Sequence, residues 1–247
     1  MNDFVVVIPA RYASTRLPGK PLRDINGKPM LQHVYERGTE SSAKEVVIAT
    51  DDERIATAAE EFGARVCMTG DHHGSGTDRI AEVCDLLAWD DGRVVVNLQG
   101  DEPTMPAALI DQCAGLLDDG RADIATLASP IASPGDFENP NVVKVILDDD
   151  GNAIYFSRAA IPYARDPGDR EVAVETALQH HGIYAYRCGV LRRLVAAERS
   201  RLERCEQLEQ LRALALGMTI RVGVPAERPG AGVDTEADLE AAARALA

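Results

Sequence analysis

A short segment near the start of the chain concentrates basic side chains where a buried strand is predicted to end. Residues 9–21 read PARYASTRLPGKP and contain Arg11, Arg16 and Lys20. Arginine binds phosphate oxygens through paired hydrogen bonds, and lysine supplies a compact positive charge. The segment therefore predicts a site for a polyphosphate, with Ser14 and backbone N–H groups as further donors. Its spacing matches neither GxGxxG nor GxxxxGK[ST], so the dinucleotide and P-loop motifs lack their defining residues.

A second segment places acidic side chains at the end of another predicted strand. Residues 96–103 read VNLQGDEP, and Asp101 and Glu102 follow a run of apolar residues. Magnesium ions in proteins prefer one or two carboxylates together with phosphate oxygens. Gly100 permits backbone angles that other residues avoid. Asp101 is therefore a predicted metal ligand, whereas Glu102 fits a solvated turn equally well.

The third segment, residues 229–239 (PGAGVDTEADL), contains a candidate for a second metal ligand. Asp234 has the right chemistry to complete a magnesium site with Asp101. The competing interpretation is local: Asp234 or Thr235 caps the last helix, whose N-terminus is favoured by Glu236 and Asp238. The residues alone leave both interpretations open.

The charge of the chain restricts its partners. The formal net charge is -14, but residues 1–28 hold five basic and two acidic side chains, while the other 219 hold 21 and 38. An acidic protein is a poor partner for nucleic acid, whose phosphates require a basic face. A basic start on an acidic chain predicts a small anionic ligand bound there, and a solvated loop with chance charges is the alternative.

The cysteines and the apolar segments of the chain indicate the cellular compartment in which the protein works. The five cysteines include no CxxC pair, and their number is odd, so free thiols in a reducing cytoplasm are expected rather than disulfides or a zinc site. The apolar run at 4–8 is too short for a signal peptide or for a membrane span. We therefore expect a cytoplasmic protein with no membrane partner.

Alternating strand and helix patterns surround these segments. Apolar β-branched runs predict strands at 4–8, 45–49, 65–68, 93–98, 123–127, 182–187 and 219–224. Helical spacing predicts helices at 30–42, 52–62, 76–87, 106–117, 191–197, 205–216 and 235–246. Residues 142–156 predict a hairpin with an Asp-Gly turn, and 162–171 an exposed arm. The pattern predicts one α/β domain over 1–247, with a mostly parallel twisted sheet, helices on both faces, and a smaller β-rich excursion at about 130–190.

Several motifs, in order along the chain, resemble those of a known family. The opening segment and GVDT at 232–235 resemble sugar-nucleotide cytidylyltransferases in general. YFSRAAIP at 155–162, GIYAYR at 182–187 and LEQLR at 208–212 resemble the branch of that family that acts on the acidic sugar 3-deoxy-manno-octulosonate (Kdo). Further similar segments are NGKPM at 26–30, SGTDR at 75–79 and NPNVVKV at 139–145.

The resemblance implies an activity as well as a fold. It implies a nucleotide-diphospho-sugar transferase domain whose β-rich part pairs two subunits as a homodimer. It also implies a magnesium-dependent transfer of CMP from CTP to Kdo, with release of pyrophosphate, which activates Kdo for lipopolysaccharide biosynthesis.

The resemblance further implies roles for individual residues. Those implied to bind CTP are Ala10, Arg11, Ser14, Lys20, Ser75 and Gln99. Those implied to bind the sugar acid are Arg79, Gln99, Arg158, His180, Tyr184, Glu209 and Gln210. Asp101 and Asp234 would bind Mg²⁺ and, with Arg11 and Lys20, form the catalytic set. No role follows for His72 or His73, because residues 71–74 depart from the usual sequence, and none follows for His181. Residues 162–179 look shorter than the corresponding family segment, and this affects the predicted dimer arm.

Three alternative functions predict different sequence features. A cytidylyltransferase for another acidic sugar, such as a sialic acid, would share the opening but not YFSRAAIP and LEQLR. A non-catalytic nucleotide-binding module would lack one of the paired acids, Asp101 or Asp234. A dehydrogenase would need a glycine-rich dinucleotide turn, which is absent from the sequence.

Overall fold

The computed structural model describes residues 3–13, 17–227 and 229–247, and within these ranges a nine-stranded sheet forms the centre of the molecule. The strands are β1 (Phe4–Pro9), β2 (Asp24–Ile25), β3 (Lys28–Pro29), β4 (Glu45–Thr50), β5 (Arg65–Met68), β6 (Val94–Asn97), β7 (Ile124–Pro130), β8 (Lys144–Leu147), β9 (Ala153–Ser157), β10 (Leu178–Arg187) and β11 (Ile220–Gly223). The helices are α1 (Met30–Glu40), α2 (Glu53–Glu61), α3 (Gly76–Leu86), α4 (Ala107–Gly115), α5 (Pro134–Glu138), α6 (Arg170–Thr176), α7 (Cys188–Val195), α8 (Arg201–Glu206), α9 (Gln210–Ala215) and α10 (Glu236–Ala245).

The main sheet has the strand order β11-β7-β10-β6-β1-β4-β5, and β2 and β3 form a separate hairpin. Neighbouring strands are parallel except at β10, which is antiparallel to β6 and to β7. Strand β10 also pairs with β8, which continues the sheet into β9. The prediction of a mostly parallel α/β sheet is confirmed. The sequence did not predict that β10 would lie antiparallel between β6 and β7.

Strand β1 shows why helices cover both faces of the sheet. Val6 and Ile8 pack with Leu31 of α1 on one face. Val7 packs with Ile80 of α3 on the other. Successive side chains of a strand point to opposite faces, so an uninterrupted apolar strand requires a buried layer on each side.

A smaller apolar cluster joins the two ends of the chain. Its buried members are Leu17, Ile25, Met30, Val233, Leu239 and Ala242. They come from the loop after β1, from the β2–β3 hairpin, from the start of α1, and from α10 with the segment before it. Burial of this apolar surface holds the C-terminal segment against the loop after β1.

Two predicted elements differ from the observed ones. The helix expected at 205–216 is two helices, α8 and α9, because Gln207 ends α8 in a left-handed conformation with φ of 53°. The last two residues of the arm expected at 162–171 belong to α6, which has only seven residues and is therefore too short for helical spacing to reveal it. The hairpin at 142–156 is confirmed, with Gly151 at φ of 79° in its turn.

The segment at 130–190 is continuous with the main sheet. It contains β8, β9, β10 and the short helices α5 and α6, around a satellite core of Phe137, Ala173 and Ala177. Ile154, Tyr163 and Val172 are exposed on it. Within the described residues, no helix has both the length and the apolar character to cross a membrane.

Candidate active site

A cavity of about 620 Å³ opens where β1 and β6 end. Its lining residues are Pro9, Ala10, Arg11, Ala13, Lys20, Pro21, His73, Gly74, Ser75, Gly76, Arg79, Gln99, Gly100, Asp101 and Asp234. Eight residues named from the sequence are therefore brought together, namely Ala10, Arg11, Lys20, Ser75, Arg79, Gln99, Asp101 and Asp234. Ser14 lies outside the described residues.

Lys20 lies between the two aspartates. Its Nζ donates to Asp101 Oδ2 at 2.7 Å, to Asp234 Oδ1 at 3.1 Å and to the backbone oxygen of Val233 at 2.9 Å. Burial works against the charge of Lys20, but the two carboxylates outweigh burial and raise the pKa of its ammonium group. Two acids that are distant in the chain therefore share one cation at the cavity.

The position of Asp101 depends on a close approach between β6 and β1. A Cβ atom on Gly100 would lie 2.9 Å from the backbone oxygen of Pro9. The requirement for glycine is therefore steric, and it differs from the special backbone angle suggested by the sequence. Absence of a side chain lets the turn that carries Asp101 lie against the end of β1.

Of the two residues named as caps of the last helix, Thr235 is the cap, and the role of Asp234 as a metal ligand remains a prediction. Thr235 caps α10 by accepting from the backbone N–H of Asp238, and the Asp238 carboxylate accepts from Thr235 in return. Because Thr235 fills the capping position, the carboxylate of Asp234 is directed to Lys20. The backbone N–H of Val233 donates to the backbone oxygen of Asp101 at 2.8 Å, and this hydrogen bond joins the two acidic segments.

The loop after β1 is held at both ends by Tyr12. The guanidinium carbon of Arg54 lies 3.4 Å from the centre of the Tyr12 ring, and the same ring packs against Gly19. Gly19 has φ of 65° and precedes the 3₁₀ turn that begins at Lys20. Arg11 is exposed and forms no ion pair with any residue in the described ranges, so its charge remains available for an anionic ligand.

The N-terminus of α3 forms the opposite wall. Ser75 caps this helix by accepting from the backbone N–H of Asp78 at 3.2 Å. A Cβ atom on Gly76 would lie 3.1 Å from the side chain of Pro9, so the two walls approach closely there.

Arg79 lines the cavity but already has protein partners. It donates to the hydroxyl of Thr69 and to the backbone oxygen of Gly70 at 3.4 Å, and it pairs with Asp51 at 3.1 Å. Its side chain is 6% exposed. Arg79 therefore holds the segment after β5 in place, and its predicted contact with the sugar remains a prediction.

Five other residues named for the sugar acid lie outside the cavity lining. They come from β10, from the position after β9 and from the start of α9, and we call them the group on β9, β10 and α9: Arg158, His180, Tyr184, Glu209 and Gln210. The rings of His180 and Tyr184 are 5.2 Å apart. Burial, followed by the charge of Glu209, raises the pKa of Tyr184. Gln99 connects the two groups, because its amide donates to the backbone oxygen of Gly182 at 3.5 Å.

His180 and His181 point to different partners, as expected for adjacent residues of a strand. His180 Nε2 lies 3.0 Å from the hydroxyl of Thr126, and His181 Nε2 lies 2.8 Å from that of Ser129. Burial, reinforced by His181, lowers the pKa of His180 to about 3. His180 is therefore neutral at physiological pH and can exchange hydrogen bonds without adding charge.

The backbone and guanidinium of Arg158 are tightly held. Its backbone N–H and its Nε donate to Glu206, at 2.9 and 2.8 Å. Its own backbone oxygen accepts from Lys144 at 2.7 Å. Lys144 is fully buried, and its Nζ has only backbone oxygens as hydrogen-bond acceptors in the described structure. This arrangement positions Arg158 at the edge of the group on β9 and β10.

Two features of the site were not assigned from the sequence. Burial, followed by the nearby charge of Asp101, raises the pKa of Glu102 to about 8, and its buried Oε2 has no hydrogen-bond partner among the described residues. His73 lines the cavity and pairs with Glu82 of α3. The position of His73 just before the SGTDR segment was the available signal, but nothing in the local pattern pairs it with Glu82.

The acidic pair fits a magnesium ion that arrives with a nucleotide. Across the described ranges, no three His, Cys, Asp or Glu side chains gather as a ready-made metal cage. Asp101 and Asp234 nevertheless converge on one cationic group. Magnesium characteristically binds one or two carboxylates and takes its remaining ligands from water and substrate phosphates. The donor set is therefore suited to Mg²⁺ rather than to zinc or calcium.

The sequence and the fold are similar to those of known proteins. A family model described as Cytidylyltransferase matches residues 5–220. The chain is similar to the structure of CMP:2-keto-3-deoxy-manno-octonic acid synthetase complexed with CTP, with 43% identity, a TM-score of 0.91, and coverage of 99% of this chain and 98% of that one. It is also similar in fold to a cytidylyltransferase from Leptospira borgpetersenii serovar Hardjo-bovis (strain JB197), with 19% identity, a TM-score of 0.63, and coverage of 98% and 86%.

Proposed function

The chain belongs to the cytidylyltransferase family, and from this premise we propose that it transfers CMP from CTP to Kdo and releases pyrophosphate. The observation that carries the proposal is the 43% identity, over nearly the whole of both chains, with a synthetase for this sugar acid complexed with CTP. The cavity adds physical support, because the basic side chains that line it suit the phosphates of a nucleoside triphosphate.

The charged end of the cavity is suited to the triphosphate. Arg11 is free to bind phosphate oxygens, and Lys20 supplies a second positive charge near them. The size of the cavity, about 620 Å³, lies within the usual range for small-ligand sites, roughly 300–1,000 Å³. Ala10 and the turn at Ser75 would frame the cytidine at the other end.

Asp101 and Asp234 would hold Mg²⁺ in this proposal. When bound, the ion supplies positive charge and polarises phosphoryl oxygens. Lys20 keeps the two carboxylates together before the ligands arrive, since it donates to both of them. Once a metal shares these carboxylates, the ammonium of Lys20 is available to the phosphates of CTP.

The chemical step is an in-line displacement at the α-phosphorus of CTP. The anomeric hydroxyl oxygen of Kdo forms the new bond to phosphorus and gives up its proton to solvent, while the bond from the α-phosphorus to pyrophosphate breaks. No side chain forms a covalent intermediate, so the chain contributes through positioning and charge stabilisation. Arg11 and Lys20 would neutralise charge on the leaving phosphates, and Gln99 would help to orient the sugar acid.

The sugar acid would lie between Gln99 and the group on β9, β10 and α9. This group combines neutral His180, protonated Tyr184 and the acid Glu209, which suit a polyhydroxylated ligand. Arg79 and Arg158 would serve its carboxylate by reorienting from their present partners. We place Gln210 in this group because it begins α9 beside Glu209.

We also propose that the chain forms a homodimer through the part at 130–190. Exposed Ile154, Tyr163 and Val172 on this part support the proposal, because apolar side chains of this size favour burial. Sedimentation of the wild type and of Tyr163→Asp tests it: a dimer that becomes a monomer supports the interface, and a wild-type monomer rejects it.

Pyrophosphate release tests the catalytic proposal directly. The purified chain is mixed with CTP and Mg²⁺, and with either Kdo or a sialic acid. Release with Kdo, together with mass-spectrometric detection of CMP-Kdo, is the expected result. Release with the sialic acid but not with Kdo would assign a different sugar, and absence of release with either would reject the proposal.

A further inference from the structure

Strand β10 changes its register with β7 beside the group on β9, β10 and α9. The shift falls between His181 and Tyr184, so β10 bulges there. The amide of Gln99, which lines the cavity, donates to the backbone oxygen of Gly182 within this bulge at 3.5 Å. A bulge changes the direction of the side chains next to it. This one connects the strand positions of His180 and Tyr184 to the wall of the cavity.

A hydroxyl group of β7 lies against the bulge. Thr126 is fully buried, and its Oγ1 lies 2.7 Å from the backbone oxygen of Ile183, 3.2 Å from that of His181 and 3.0 Å from Nε2 of His180. A hydroxyl has one hydrogen to donate and lone pairs that accept. Carbonyl oxygens can only accept, so the hydrogen of Thr126 is directed to the nearer one, that of Ile183.

The same hydroxyl determines which ring nitrogen of His180 carries a proton. Because Thr126 gives its hydrogen to a carbonyl oxygen, its contact with His180 requires the ring to donate through Nε2–H. Burial, reinforced by His181, lowers the pKa of His180 to about 3, so the ring is neutral near pH 7 and carries a single N–H. Its ring neighbours, Phe156 at 5.1 Å and Tyr184 at 5.2 Å, add no negative charge that would favour a second proton.

Nδ1 of His180 is the polar atom that remains. His180 is half-buried, and in the described structure Nδ1 has no hydrogen-bond partner and is not among the polar atoms sealed from solvent. In the neutral ring that donates through Nε2, Nδ1 is an acceptor. A sugar hydroxyl has one hydrogen to donate, and it would lose a partner for that hydrogen if the ring presented N–H instead.

We propose that Thr126 is a positioning residue for the sugar acid: its hydroxyl accepts from Nε2–H of His180 and thereby keeps Nδ1 as an acceptor for a sugar hydroxyl. The last step rests on the proposed function, since it assumes that His180 contacts Kdo. The tautomer itself can be measured without any ligand.

Nuclear magnetic resonance of the ligand-free protein tests the tautomer. Long-range correlation of ring protons with ring nitrogens, in protein labelled with ¹⁵N-histidine, distinguishes a nitrogen that carries a proton from one that does not. The chain has five histidines, and the signals of His180 are identified by their loss in His180→Gln. At pH 7 we expect Nε2 to be protonated and Nδ1 to be unprotonated.

Thr126→Val removes the hydroxyl and keeps a β-branched side chain of similar shape. The ring of His180 loses the contact that fixes both its tautomer and its rotation, so its signals should move toward protonated Nδ1. In pyrophosphate release with CTP and Mg²⁺, the KM for Kdo should rise about tenfold, as for the loss of one hydrogen bond, while the KM for CTP stays unchanged. Thr126→Ser restores a hydroxyl and should recover both readouts.

Ser129→Ala is the matched control. Ser129 is also a buried residue of β7, and its hydroxyl lies 2.8 Å from Nε2 of His181, for which no contact with the sugar is implied. The control removes a hydroxyl–imidazole contact of the same kind from the same pair of strands. It should leave the tautomer of His180 and the KM for Kdo as in the wild type.

The outcomes separate this inference from the proposed function. A wild-type His180 that is charged, or protonated at Nδ1, overturns the inference. So does a folded Thr126→Val with an unchanged tautomer or an unchanged KM for Kdo. Absence of pyrophosphate release by the wild type with Kdo rejects the proposed function, whereas the spectra still decide the tautomer. If Thr126→Val does not fold, Thr126→Ala takes its place, and the wild-type spectrum remains decisive.

Discussion

Replacement of Lys20 by methionine separates its two roles at the site. The substitution keeps an unbranched side chain of similar length but removes the ammonium that donates to Asp101, Asp234 and the backbone of Val233. We expect the variant to lose catalysis and stability, and at the same time to bind a divalent metal more tightly than the wild type without nucleotide.

The magnitude follows from the distances and the exposure of the three side chains. At separations near 3 Å, each carboxylate attracts the ammonium by about 5 kcal/mol at an effective dielectric constant of about 20. The side chains of Lys20, Asp101 and Asp234 are 16%, 33% and 45% exposed, so desolvation and solvent screening offset most of this attraction. A net loss of about 2 kcal/mol remains, which lowers the melting temperature by roughly 4–8 °C for a chain of this size.

The stabilisation that Lys20 contributes changes with pH in one direction. The carboxylates raise the folded-state pKa of Lys20 above its ordinary value, 10.5. The stabilisation is therefore fully present below the unfolded-state pKa and is lost as the pH rises through the higher folded-state pKa. The stability difference between wild type and Lys20→Met should stay constant from neutral pH to about pH 9 and shrink only in strong alkali.

Metal binding gives the most discriminating readout. Without Lys20, the two carboxylates lose the cation that competes with a metal, so the apparent affinity for Mn²⁺, measured by titration with paramagnetic detection, should rise about tenfold or more. Turnover with CTP should fall on the order of 10²-fold, because one preorganised charge is lost.

Lys28→Met is the matched control. Lys28 also pairs with a glutamate, Glu36, at 2.7 Å, but it lies outside the cavity lining. The control should keep normal turnover and normal Mn²⁺ affinity. If Lys20→Met likewise kept the wild-type affinity for Mn²⁺ and the wild-type turnover, the argument that Lys20 holds the acidic pair for metal and phosphate would be wrong.

Three further substitutions test other parts of the site. Asp101→Asn should reduce turnover by about 10²-fold or more at saturating Mg²⁺, measured by pyrophosphate release, and near-normal turnover would contradict a metal role. Gly100→Ala should lower the melting temperature by roughly 2–8 °C and turnover by more than tenfold, since its Cβ would meet the backbone of Pro9; an unchanged protein would show that the close approach relaxes freely. Burial raises the pKa of Glu102 from 4.5 to about 8. Between these two pH values the folded protein retains a proton that the unfolded chain has released. The free energy of unfolding therefore falls as the pH rises from 4.5 to about 8. In metal-free denaturant titrations, Glu102→Gln should therefore gain up to about 4 kcal/mol at pH 8 and almost nothing at pH 4, and an equal gain at both values would exclude titration as the cause.

Local patterns were enough to predict most of the strands and helices, and to predict the position of Asp101 in the site. The apolar run at 4–8 requires a doubly covered strand, and β1 is one. Thr235 and Asp238 form the predicted cap of the last helix, because capping depends only on residues within one turn. Asp101 follows a buried strand, so its place at the carboxyl edge of the sheet could also be predicted.

The other half of the site depends on contacts between distant parts of the chain. Asp234 meets Lys20 across 214 positions of sequence, because a small apolar cluster that includes Leu17 and Val233 holds the two ends together. The local sequence did not decide whether Asp234 caps the last helix or takes part in the site. His73 and Glu82 pair because the segment after β5 folds back along α3, a geometry that no residue spacing specifies.

Sequence by itself determined which segments become strands and helices, and which polar residues follow the strands of the sheet. Tertiary structure decided that β10 enters antiparallel between β6 and β7, and that Lys20, Asp101 and Asp234 converge. The reason is that propensity, capping and periodicity act over a few residues, whereas convergence requires burial of apolar surface from distant segments, whose free energy depends on how the whole chain packs.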